Sequence, residues 1–104
     1  PDAIFGITDD LAIGAIEAIK EKGLNIPEDI AVVGFSNTKR SRYMNPTVSS
    51  INQFPEKIGR AAAELLFDQI LNSKHAQIKK EIINCELIVR ESSDRLCKTR
   101  QMLT

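Results

Sequence analysis

At 104 residues the chain has room for one domain with a limited core. Its hydrophobic share of 42% is ordinary for a globular domain, and 5% aromatic without Trp is lean. Fourteen basic residues balance fourteen acidic ones, so there is no global positive field to attract nucleic acid or an anionic membrane.

No apolar run approaches the ~20 residues of a spanning helix. No charged, apolar, cleavable leader is present, and Pro1-Asp2 reads as the middle of a longer protein. Cys85 and Cys97 have no metal-ligand spacing. They are expected as reduced cytoplasmic thiols, with a disulfide between them as the alternative.

In chain order, the apolar run 3–7 is too short for a helix and is expected as a buried strand. Thr8, Asp9 or Asp10 caps a helix that runs to about Lys22 and is closed by Gly23. At 100° per residue, Leu11, Ala12, Ala15, Ala18 and Ile19 make one core-facing arc, with Ile16 on its border. Ile13 falls outside that arc, either as a solitary exposed apolar residue or as part of a partner surface.

Pro27-Glu28-Asp29 is turn chemistry leading into residues 30–33, which are apolar on both faces of the pleat as in a strand covered on both sides. Strand, helix and strand within about 35 residues make a right-handed βαβ unit. Gly34 frees the backbone at the second strand's carboxyl end, where Ser36 and Asn37 offer polar groups. In open α/β sheets, ligands collect outside the carboxyl ends of parallel strands, so this is the favoured place for a site.

Residues 36–47 read as a loop, with the basic cluster Lys39, Arg40 and Arg42 beside Tyr43 and Met44. That cluster is either a solvated face or a binding surface. Residues 49–54 read as extended. Pro55 with Glu56 opens a second helix to about Asn72, apolar on two sides and therefore expected to be covered twice. Residues 80–90 read as one long strand or two short ones, 91–94 as its end, and 95–104 as a tail of low order.

Asp9-Asp10 could be a carboxylate pair, but helix capping explains them, and consecutive residues point in different directions. His75 sits in a polar turn without Cys or His at ligand spacing and reads as solvated. No phosphate loop, nucleophile elbow or paired-cysteine motif occurs. The residues alone describe a soluble α/β fragment with a polar crevice, no catalytic residues, no metal site and no cofactor.

A resemblance takes the reading further. Residues 1–70, followed by CELIVRESS at 85–93, resemble the carboxyl-terminal part of LacI/GalR-family transcriptional repressors. The pieces that carry it are DDLAIGA after a strand, IPEDIAVVGF, a proline-led loop into SSINQ, and ELIVRES, in the family's order and spacing. The resemblance implies a fragment of a type I periplasmic-binding-protein-like α/β fold, with a mostly parallel sheet and flanking helices.

It also implies a division: residues 1–50 in the carboxyl-terminal subdomain, 51–84 as a crossover and a piece of the amino-terminal subdomain, and 85–94 as a return strand. The family's helix-turn-helix domain has no counterpart in these residues. By position, Thr8, Asp9, Ser36 and Gln53 would meet a small effector, a sugar. Ser36 stands where the family usually has an aspartate. Ile13, Ile16, Glu17, Lys20, Arg40, Tyr43 and Met44 match the family's dimer surface.

The function implied is the effector-binding and dimerisation portion of a cytoplasmic bacterial repressor that reaches operator DNA through a domain outside these residues. The alternative is a periplasmic sugar-binding protein for transport. The ELIVRES ending and the dimer-type loop favour the repressor, and an α/β enzyme lacks any nucleophile–base pair.

Overall fold

The first apolar run forms strand β1 (Ala3–Phe5), half-buried at Ile4 and exposed on either side rather than buried as expected, and Thr8 caps helix α1 (Asp9–Glu21) by accepting the Leu11 N–H. At the other end, Gly23 at φ 73° closes the helix. Its N–H donates to Lys20 O and the Leu24 N–H to Ile19 O, the paired bonds of a left-handed helix stop. Strand β2 (Ala31–Val33) returns parallel to β1, Ala3 opposite Ala31. A computed structural model describes residues 1–72, 74 and 77–96, so His75, Cys97 and all of the tail after Leu96 lie outside the described residues.

The residues between β2 and the next strand are not a plain loop. Thr38 caps a short helix, α2 (Lys39–Tyr43), by accepting the Ser41 N–H, while Ser41 Oγ donates back to Thr38 O. Strand β3 (Ser50–Asn52) follows, then helix α3 (Pro55–Leu71) and strand β4 (Glu86–Ile88). β3 and β4 pair antiparallel. A parallel bridge joins Val33 to Ser49, and Gly34 N–H and Ser36 N–H donate to Ser49 O and Ile51 O. The neighbouring pairs therefore run parallel, parallel, antiparallel.

Of residues 80–90, expected as one long strand or two short ones, only 86–88 are strand. A strand exists where a partner takes its backbone groups, and β3 offers three residues. Past β4 the chain still serves the sheet: Val32 N–H donates to Ser92 O, and Ser92 Oγ donates to Val32 O. Arg95, expected in a loose tail, is held by bonds to Pro27 O and Asp2 O.

Two compact units result among the described residues: Pro1–Asn52 with residues 86–96, and Gln53–Cys85. The first holds the core of Ala12, Ile13, Ile16, Ile19, Val32 and Val48, with Ile4, Ile26, Ile30 and Met44 packed against it. The buried face of α1 thus runs through 9, 12, 13, 16 and 19, and the arc expected through Leu11, Ala15 and Ala18 is a correction. Leu11 is 56% exposed and Ile13 only 2%. Both sets satisfy a helical period, but the isoleucines carry more apolar area than the alanines, and bulk decides which face turns inward.

In the second unit, α3 begins at Pro55 after Phe54 at φ 51°, and Lys57 Nζ lies 4.7 Å from the Phe54 ring centre. Neither apolar side of α3 is covered as expected, for none of its residues is buried. Ile58, Ala61, Ala62 and Leu65 border a shallow groove with Glu81 and Ile83.

Candidate functional site

The amino end of α1 is pressed onto the strand ends because two glycines allow it. A Cβ at Gly6 would stand 2.7 Å from Ala12 N, and one at Gly34 would collide with Asp9 Oδ1. Gly34 was expected to loosen the backbone; instead it admits a close approach. The left-handed residues are the next ones, Ser36 at φ 100° and Asn37 at φ 49°.

The approach leaves Asp9 fully buried, and its carboxylate organises the turn around it. Ser50 Oγ donates to Oδ1 at 2.6 Å. Thr38 donates twice to Oδ2, from its N–H at 2.7 Å and its hydroxyl at 3.0 Å. With no solvent exposure, the carboxylate is out of reach of an effector hydroxyl. The expectation that Asp9 contacts the effector is therefore corrected: it braces the loop that would.

The Asp9 N–H donates to Phe35 O at 2.9 Å, which joins the amino end of α1 to the turn after β2 and brings Thr8 and Ser36 together at the carboxyl end of the β1–β2 pair. Both remain reachable, Thr8 exposed and Ser36 half-buried. The Thr8 oxygen accepts from Leu11 N–H and keeps its own proton to donate. Among the described residues, no hydrogen bond takes up the Ser36 hydroxyl. Gln53 belongs to the second unit.

Three members of the site went unread in the sequence: Thr38, Ser50 and Arg90. The Arg90 guanidinium donates to Asn37 Oδ1 at 2.7 Å and to Val48 O at 2.8 Å. Burial, and then the neighbouring Arg42, pull its pKa below the usual arginine value, while Asp9 opposes them. The signal for Arg90 was a lone cation directly after the apolar run of 87–89.

Of the surface expected to face a partner, Ile13 and Ile16 are core residues, a second consequence of the helix phase. Met44 is half-buried against that core. Tyr43 is 84% exposed. Glu17 is exposed, Lys20 donates to Asn45 O, and Arg40 lies 3.8 Å from Asp10 at the surface. Among the described residues no helix is long and apolar enough to cross a membrane, and no three His, Cys, Asp or Glu side chains gather as a metal set.

The profile of the periplasmic binding protein-like domain family matches residues 1–93. The HTH-type transcriptional repressor PurR of Pasteurella multocida is 40% identical over 92 residues, covering 88% of this chain but 27% of the relative. An uncharacterized protein from Actinobacillus succinogenes superposes with a TM-score of 0.84 at 41% identity, over 90% of this chain and 35% of that one. The transcriptional regulator CelR in complex with cellobiose superposes with a TM-score of 0.82 at 33% identity, over 88% of this chain and 28% of that one. The chain thus spans about a quarter of the length of the repressor it matches.

Proposed function

Because the chain belongs to the periplasmic binding protein-like domain family, and corresponds to the carboxyl-terminal part of the effector-binding domain of LacI/GalR-type regulators, we propose that it is the effector-binding and dimerisation portion of a transcriptional repressor. The effector is a small polyhydroxylated molecule, a sugar. A cellobiose complex among the structural neighbours supports that class.

The observation that carries the reading is the bond from Asp9 N–H to Phe35 O. It brings Thr8 and Ser36 together where ligands of parallel sheets gather. A neutral serine hydroxyl both donates and accepts, and it accepts more weakly than a carboxylate, so Ser36 selects an effector by direction more than by strength. Dimerisation would rest on Tyr43, Glu17, Lys20 and Arg40, since aromatics and arginine are enriched in interface cores. Operator DNA would be bound by a helix-turn-helix domain outside these residues, in the cytoplasm.

The test is a mobility shift of the protein at its natural length on DNA from its own promoter. Binding that a mono- or disaccharide strengthens or weakens is the expected result. Absence of DNA binding, with an export signal encoded upstream, would replace this reading by solute capture for transport.

A further inference from the structure

Ser36 at φ 100° and Asn37 at φ 49° are consecutive non-glycine residues in the left-handed region, a conformation that persists only where neighbours fix it. Two neighbours do so, from distant parts of the sequence. Ser50 Oγ on β3 accepts the Asn37 N–H at 2.9 Å. Arg90 Nη2, two residues past the end of β4, donates to Asn37 Oδ1 at 2.7 Å. The guanidinium is itself fixed, Nη1 donating to Val48 O at 2.8 Å and to Ser41 Oγ at 3.4 Å. Its backbone N–H donates to Ser49 Oγ at 2.8 Å.

β3 and β4 are also the segments by which the chain leaves the first unit at Asn52 and re-enters it at Glu86. Asn37 is therefore gripped by both passages, through its backbone by one and through its side chain by the other. We propose that Arg90 is the positioning residue of the effector turn, holding Asn37 and through it the Ser36 hydroxyl, so that a displacement of the β3–β4 pair alters the effector position. This rests on the effector reading of Ser36. Arginine suits the task because its planar fork serves Asn37 and Val48 at once, whereas a lysine ammonium is a single point that cannot span both acceptors.

The test is hydrogen–deuterium exchange of the protein at its natural length. In Arg90→Gln, amides 36–38 should exchange about tenfold faster, the size expected for one lost charged hydrogen bond, with residues 12–19 unchanged. Arg90→Lys should not restore protection, and Arg90→Gln on an Asn37→Gly background should add nothing further. Unchanged protection over 36–38, or an equal rise over 12–19, would overturn the positioning role.

Calorimetric titration with cellobiose and its monomer glucose separates this from the effector reading. Affinity about tenfold weaker in Arg90→Gln than in the unmodified protein supports the link, and equal affinity overturns it. If the unmodified protein binds neither sugar while the exchange result holds, effector choice is misread and the positioning role stands.

Discussion

With Ser50 and Thr38 both donating to Asp9, removing that carboxylate leaves one buried and two half-buried donors without their acceptor. Bonds to a charged acceptor each contribute roughly 1.5–3 kcal/mol, and unpaired buried partners add their own cost. Asp9→Ala should therefore destabilise the fold by about 3 kcal/mol, read by urea unfolding, far more than the ~1 kcal/mol of a lost surface cap. A loss under ~1 kcal/mol would show that Asp9 is no brace.

Two neighbouring positions should move stability in opposite directions. Gly34→Ala forces a Cβ into Asp9 and should cost about 2 kcal/mol. Ser36→Gly relaxes a residue at φ 100° and should add about 1 kcal/mol while weakening effector binding. If both variants lose stability equally, the turn is not strained as described. The sequence showed polar groups at these strand ends. It could not show that Asp9 faces inward, because whether a carboxylate is brace or ligand depends on donors 29 and 41 residues away.

Helix α1 shows how an element can be read correctly and still be turned the wrong way. Its capping threonine, its span and its glycine stop follow from local chemistry and were legible. Its phase was not, because alanines and isoleucines together make most of the circumference apolar. With Ile13 2% exposed and Ile16 fully buried, Ile13→Ala should cost about 2–4 kcal/mol and Ile13→Asp should prevent folding rather than yield a soluble monomer. Tyr43→Asp, at an 84% exposed position, should instead leave the melting curve within 2 °C or so and convert a dimer to monomers in sedimentation. A dimer that persists at micromolar protein would move the interface elsewhere. Helix α2 escaped notice because five residues are too few to display a period, and its cap, Thr38, is engaged by Asp9 as well.

At the scale of the whole chain, two units are joined by two passages, and among the described residues the buried core lies in the first. Leu66, Phe67, Ile70 and Leu71 of α3 are each more than half exposed, an apolar surface that water does not favour. The 104 residues expressed alone should therefore associate with further copies of themselves, which light scattering would show as a mass above that of one chain. A monomer with a sharp cooperative melt would contradict this. The family's order of motifs made the architecture legible over residues 1–93. The limited core followed from length alone and the two apolar sides of α3 from its pattern, but not that every residue of α3 stays unburied, since burial depends on contacts far along the chain.

If Thr8 and Ser36 meet a small sugar at the carboxyl ends of β1 and β2, a thermal-shift screen of the natural-length protein against mono- and disaccharides, repeated on Ser36→Ala, will register it. A sugar at a hundred times its Kd should add about 2.7 kcal/mol and raise the midpoint by several degrees. Ser36→Ala, which removes a hydroxyl and little else, should melt at nearly the same temperature without sugar and lose most of that rise. A full rise retained in Ser36→Ala, or no sugar that shifts the unmodified protein, would contradict the account.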